Sequence, residues 1–386
     1  MSQKAKELST NDIEIYKKLQ QHLDEMPIGI PSVKSGSDLR ILKHLFTPEE
    51  AKIAMLLKFG WDRDLEPIEK IYARAKDIDI DIDISIEKLE EILDRMAKKG
   101  SIMYKKEGDT KYYGNALLVV GMFEFQVNNL TKEFVEDFHK YYAEGWLPEA
   151  IKLKAAQLRT VPVEQSVSID LNVSNYDDIE KLINSTEGPF AIINCICRQA
   201  KDLLDQPCKL TSRREVCLAC GKMANSYIEL GKGRSIGKEE VLEILRKNQE
   251  EGLVIQPDDS LNLTFICSCC GCCCENLTKM KSLPNPGDFT ITNYYAEIDS
   301  EICTGCGTCV DICQMEAIKT KNDKSIISRK RCIGCGNCVP TCKSGALKLR
   351  KKEREFTPYP TLDDLYDRIK YRKNLLKEKA SKRKTK

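Results

Sequence analysis

A chain of 386 residues with 41% hydrophobic and 31% charged side chains has the composition of a globular protein, long enough for two to four domains each with a core. Its formal net charge of +2 is too small to argue for a nucleic-acid or acidic-membrane partner. The opening MSQKAKELSTNDIE lacks the apolar stretch of a secretory signal, and the longest strongly apolar run, Ala116 to Phe123, is far short of the roughly 20 residues of a spanning helix; a cytoplasmic chain with no membrane span is expected.

In chain order, NDIEIYKKLQQHLDEMP predicts a helix capped at Thr10 or Asn11 and stopped by Pro27, packed as an appendage. Thr47-Pro48-Glu49-Glu50 combines an N-cap, a first-turn proline and a capping-box glutamate, and starts a helix that runs to about Lys58. A second helix is expected over Glu66 to Lys76. A third follows the Ser85 cap and ends at Gly100, with Leu89, Ile92, Leu93 and Met96 on one face. Two β-rich runs around Glu107-Gly108-Asp109 then predict a hairpin, and the apolar run after it a buried strand or core segment.

Three helices and a hairpin resemble a winged helix-turn-helix domain, which suggests DNA. The charge opposes that: Asp77, Asp79, Asp81, Asp83, Glu87, Glu90, Glu91 and Asp94 face one cation, Lys88, so protein docking or a structural role is the better expectation. The Asp-Ile alternation over 77 to 84 reads as a half-exposed extended segment instead of a cation site. Helices are expected over Thr131 to Ala143, Pro148 to Leu158 and Tyr176 to Asn184, and a strand over Val161 to Leu171.

All nineteen cysteines lie between Cys195 and Cys342. A cytoplasmic chain keeps thiols reduced and the count is odd, so metal ligation is expected. Eleven fall in the centre: Cys195 and Cys197 in NCICR, Cys208, Cys217 and Cys220 in CLAC, and Cys267, Cys269, Cys270, Cys272, Cys273 and Cys274 in CSCCGCCCE. Strands Phe190-Ala-Ile-Ile and Leu263-Thr-Phe-Ile each feed a cysteine group, and if they pair, both groups emerge at one end. Met223 to Leu230 and Lys238 to Gln249 read as helices. Gly231 to Gly237 reads as a loop without phosphate-binding spacing, and neither a Walker A sequence nor a C-x3-C-x2-C triplet is present.

Cys217-Leu-Ala-Cys220 is a zinc-style knuckle, but the histidines His22, His44 and His139 are distant, so a zinc site would be all-cysteine. One or two further iron–sulfur clusters are preferred to zinc here, with Cys195, Cys197, Cys208 and Cys217 as the first central site.

Downstream, CTGCGTCVDIC at 303 to 313 and CIGCGNCVPTC at 332 to 342 each spell C-x2-C-x2-C-x3-C, offset by 29 residues, and Gly305 and Gly307 recur as Gly334 and Gly336. The repeat argues for two cubane clusters with crossed ligation, Cys303, Cys306, Cys309 and Cys342 on one and Cys332, Cys335, Cys338 and Cys313 on the other. Zinc would not need the third cysteine of each triplet. The stretch from Tyr295 to Leu349 resembles the bacterial-type two-cluster 4Fe-4S ferredoxin domain, with Ala317-Ile318 and Ala346-Leu347 at its short strands. Gln314 and Lys343 stand where that family usually has proline.

The whole arrangement, from about Leu45 to Leu349, resembles an uncharacterised type of anaerobe iron–sulfur protein, with a winged-helix-like front, a C-x-C-R centre and a two-cluster ferredoxin domain. Cys269-Cys270-Gly271 resembles one copy of the motif of heterodisulfide-reductase-type subunits, which bind a noncubane cluster and carry that motif twice.

The expected fold is a multidomain α+β chain. It comprises a helical appendage over 1–46, a winged-helix-like domain over 47–125, a helical connecting region over 126–187, a cysteine-rich iron–sulfur region over 188–290, the ferredoxin domain over 291–350 and a basic tail over 351–386. In the tail, LYDRIKYRKNLLKEKASKRKTK is expected to be a frayed, solvated helix. Functionally the chain reads as an electron-transfer protein or oxidoreductase subunit, relaying low-potential electrons to or from a redox protein. The alternatives are an iron–sulfur reductase with a cluster or thiol site in its centre, and a redox-responsive winged-helix regulator.

Overall fold

The computed structural model of the chain describes residues 10–77, 84–168, 171 and 173–384. The expected Asp-Ile alternation falls almost wholly outside these residues, as do the end of the expected Val161 to Leu171 strand and the capping side chains of Thr10 and Asn11. The chain divides into two units, residues 1–155 with 366–386, and residues 156–365, a coarser division than the six segments read from sequence.

In the first unit Thr47 and Glu50 make both halves of the capping box and start the helix Pro48–Ala54. The Glu50 carboxylate is buried, and burial alone would raise its pKa. Lys99 at 2.8 Å, the Thr47 amide and Arg95 outweigh that and hold it below the usual range. Strand β1, Glu66–Pro67, occupies the first residues of the expected second helix, which therefore begins at Ile68 and runs to Asp77. The helix Ile86–Lys99 starts on Ser85, ends on Gly100 at φ 88°, and buries Leu89, Ile92, Leu93 and Met96 as its periodicity requires.

The hairpin forms from β2, Ile102–Glu107, and β3, Thr110–Asn115, with β1 paired to the outer side of β3. Ala116 to Phe123 is no strand: it is an irregular turn with Val120 at φ 58°, while Ala116, Leu117, Leu118, Met122 and Phe123 are buried.

Two expectations for this unit change. The helix Thr10–Asp24 buries Tyr16, Leu19 and Leu23 and ties Tyr16 Oη to the Phe46 carbonyl, so it belongs to the core instead of hanging from it. The basic C-terminal helix, Leu362–Lys384, is not solvated throughout. Lys373 is buried, and its ammonium donates to the carbonyls of Asp24 and Met26, at 2.5 and 3.0 Å. Those carbonyls lie at the end of the first helix, where unsatisfied acceptors and the helix dipole favour a cation.

The second unit is organised by a five-stranded antiparallel sheet. Its strands are β4 (Phe190–Asn194), β5 (Glu215–Cys220), β6 (Arg234–Ile236), β7 (Val254–Pro257) and β8 (Phe265–Cys269), in the spatial order β6-β4-β5-β8-β7. The two cysteine-feeding strands, β4 and β8, do not pair. β5 lies between them and is antiparallel to both, so their C-terminal ends still reach the same end of the sheet. CLAC is therefore part of a central strand and no knuckle, and part of the glycine-rich loop after 230 is the edge strand β6.

Period-two alternation divides the residues of this sheet. One face carries Ile192, Leu218, Cys220, Ile255 and Ile266, packed under Val241 and Leu245 of the helix Lys238–Glu250. Cys217, Cys267 and Cys269 alternate with those residues and fall on the other face.

The expected strand at Val161 is instead extended chain with a turn at Glu164–Ser166. Further on, β9 (Tyr294–Ile298) pairs with β12 (Leu347–Lys351), and β10 (Ile318–Lys321) with β11 (Lys324–Ile327).

Candidate metal centres

CSCCGCCCE leaves strand β8, turns at Gly271, and enters the helix Glu275–Lys281. That path separates its six thiols into two sets. Cys267, Cys269 and Cys274 join Cys195, Cys197 and Cys217, whereas Cys270, Cys272 and Cys273 join Cys208.

The first set is a closed ring of neighbouring thiols, running from Cys195 to Cys197, Cys274, Cys269, Cys267, Cys217 and back to Cys195. Donation from both neighbours holds Cys195 and Cys274 well below the ordinary thiol range and Cys267 at about 6, while their partners Cys197, Cys217 and Cys269 are pushed up by giving those bonds. Six buried sulfurs gathered in one ring form a soft donor set of the kind an iron–sulfur cluster takes.

The second set is tighter. The sulfurs of Cys208, Cys270, Cys272 and Cys273 all lie within 4.8 Å of one another. The expected first central site is thus divided: Cys195, Cys197 and Cys217 stay together, but Cys208 belongs to the other set. Cys220 belongs to neither, because it sits three residues after Cys217 on a strand and faces the apolar core with Phe190 and Leu218; burial raises its thiol pKa.

Arg198 lies beside both sets, on the helix Ile196–Leu203 that begins at Cys195. It is fully buried, with Nε 3.5 Å from Cys208 Sγ and Nη1 donating to the Ser268 carbonyl, and its Nη2 has no hydrogen-bond partner among the described residues. Burial pushes the guanidinium pKa down, but the charges of Cys195, Cys270 and Cys217 and the Cys208 hydrogen bond outweigh it and the net shift is upward. A buried cation is costly unless polarisable or anionic groups surround it, and here the neighbours are cysteine sulfurs. Sequence reading assigned Arg198 no role, although its place in NCICR was visible.

The dicluster thiols form two neighbourhoods. Cys313, Cys332, Cys335 and Cys338 lie close enough that Cys313 and Cys332 each raise the pKa of Cys335 and Cys338, after the larger effect of burial. Cys303, Cys306 and Cys309 form the other: Cys309 is pushed up by burial, then by Cys306 and Cys303. Amides are already aimed at sulfur, Ala296 N at Cys332, Ala317 N at Cys313 and Gly305 N at Cys303, over 3.2 to 3.4 Å. Such contacts tune a cluster's potential.

Gly305 and Gly334 both have φ near 70°, and a side chain on either would overlap a carbonyl, that of Asp323 or Tyr294. The loops therefore need glycine there.

Residues 302–347 match the protein family described as the 4Fe-4S dicluster domain. No curated protein matches the chain. The dicluster match and the grouped thiols define an iron–sulfur protein. No helix among the described residues is long and apolar enough to cross a membrane.

Proposed function

We propose that the protein relays single low-potential electrons between a redox-protein partner and its own cysteine-rich centre. Cys303, Cys306, Cys309 and Cys342 hold one 4Fe-4S cluster, Cys332, Cys335, Cys338 and Cys313 the second, and the six-thiol ring a further cluster. Such clusters, when bound, exchange one electron at a time without a substrate.

One observation carries the relay: Cys269, Cys274 and Cys267 of the ring pack in the same apolar cluster as Met315, Ile333 and Cys335 of the dicluster domain. The other end of the path opens to solvent. Cys306 is exposed, and neighbouring Ile302 is 49% exposed, an apolar contact for a docking partner beside the first cluster. The helix-and-hairpin part of the first unit, winged-helix-like in its element order, supplies protein docking; Lys88 and Lys111 are already paired with Glu91, Glu90 and Asp94, which speaks against phosphate contact.

A reductase reading draws support from the ring itself, because six thiols exceed the four that one cubane uses. The two readings separate in one experiment. Anaerobic holoprotein reduced with dithionite is mixed with oxidised benzyl viologen or with small disulfides. The relay predicts fast one-electron reoxidation by the viologen and no disulfide turnover above buffer. Multiple turnovers of a disulfide would overturn it.

A further inference from the structure

We propose that Cys208, Cys270, Cys272 and Cys273 bind a single tetrahedral metal ion of the zinc class, without inorganic sulfide. The four thiols use none of the ring or dicluster cysteines, so this site and the relay stand or fall separately.

The spacing carries the argument. A tetrahedron of thiolates around one ion with metal–sulfur bonds of about 2.3 Å has sulfur–sulfur edges of about 3.8 Å. Four of the six edges are 3.8 Å from Cys208 to both Cys270 and Cys272, 3.5 Å from Cys270 to Cys272 and 3.6 Å from Cys272 to Cys273, and the two edges from Cys273 to Cys208 and Cys270 lie within 4.8 Å. A cubane cannot use this geometry, because each thiolate caps a different iron and the body of the cluster keeps the four sulfurs out of contact with one another.

All-sulfur tetrahedral donors select zinc or iron over harder ions. Four thiolates around a divalent ion leave a double negative charge in a mostly buried site. Arg198 answers it, with Nε on Cys208 and Nη2 buried without a hydrogen-bond partner among the described residues.

The ion would also have a structural task. Cys208 lies in an irregular segment between the helix Ile196–Leu203 and β5, while the other three thiols come from the turn after β8. An ion shared between them pins that segment to the sheet end and fixes Arg198 between the two thiol sets. Such closure of a loop by a metal stabilises the fold directly.

The test is metal and sulfide analysis with X-ray absorption on the anaerobically purified full chain, for the wild type and for Cys208→Ser and Cys272→Ser, with Cys220→Ser as a control thiol outside all groups. The expected wild type holds one zinc per chain with a shell of four sulfurs at about 2.3 Å and no metal neighbour. Either variant loses zinc at least tenfold while iron and sulfide stay at the wild-type level. A single sulfide-free iron in the same shell would support the single-ion site with iron as its occupant. Loss of iron and sulfide together from the variants, or a wild type holding neither zinc nor a mononuclear iron, would overturn the proposal. Should the variants fail to fold, the wild-type absorption shell decides alone.

Discussion

Gly271→Ala is expected to loosen the junction between the cysteine-rich turn and the dicluster domain and to slow electron exchange between them. An added Cβ would overlap the carbonyl oxygen of Gln314 and approach its carbonyl carbon to 3.1 Å, both backbone atoms that cannot rotate away. The same glycine donates its amide to Gln314 Oε1 at 2.8 Å, so shifting the turn also strains that bond. Overpacking of this kind costs about 1–3 kcal/mol.

Gln314 directly follows Cys313, so the displacement reaches a proposed cluster ligand. In Gly271→Ala the unfolding midpoint of the second unit should fall, and the slower phases of viologen reoxidation should lengthen several-fold, with the dicluster iron retained. Gln314→Ala, which removes the side-chain bonds to the Gly271 amide and the Ile312 carbonyl but adds no overlap, should lose about 1–2 kcal/mol and change the kinetics less. A Gly271→Ala protein with wild-type stability and kinetics would show that the contact does not couple the two groups.

Asp259→Asn is expected to stabilise the second unit in neutral and alkaline solution. Asp259 is fully buried, and neither carboxylate oxygen has a hydrogen-bond partner among the described residues. Burial pushes its pKa up to about 8; the Arg159 guanidinium pulls it down, and Asp258 and Asp177 push it further up. Asp258 is buried beside it but differs in its partners, since it accepts from Ser260, Thr264 and Phe265 amides at 2.7 to 3.0 Å.

A folded pKa above the unfolded value means that the native chain keeps a proton the unfolded chain has lost. Stability is then greatest below the unfolded pKa of about 4, falls between pH 4 and 8 at up to about 1.4 kcal/mol per unit, and is flat above. Asparagine resembles the protonated acid and has no charge to bury. Urea unfolding of wild type and Asp259→Asn, both anaerobic and from pH 5 to 9, should show a variant advantage that grows by up to about 4 kcal/mol between pH 5 and 8 and levels off above. Parallel pH profiles would refute the buried, protonated carboxyl.

The helices of the first unit were readable because their signals are local. Thr47, Glu50, Ser85 and Gly100 mark ends through bonds within four residues, and Leu89 to Met96 mark a face through a 3.6-residue period. The packing of Tyr16 and Lys373 was not readable, since Lys373 meets the carbonyls of Asp24 and Met26 some 350 positions away in the chain.

The dicluster domain was legible for the opposite reason: its ligand spacing is fixed by the cluster and survives any context. Gln314 shows the limit of that reading. In sequence it was a departure from proline. In the structure its side chain takes the Gly271 amide, a role proline could not fill. The division of CSCCGCCCE was hidden because it depends on which residues face which side of a strand. It also depends on β5 lying between β4 and β8, an arrangement set by tertiary pairing.

The central claim is a cluster relay that extends beyond the dicluster domain. Iron and acid-labile sulfide counting on anaerobically purified protein, joined to paramagnetic resonance at graded potentials, tests it most directly. The account predicts iron and sulfide both above the roughly eight atoms each that two cubanes supply, with a third reducible species that disappears in Cys195→Ser. Eight of each and only two reducible species, the same in wild type and variant, would contradict it.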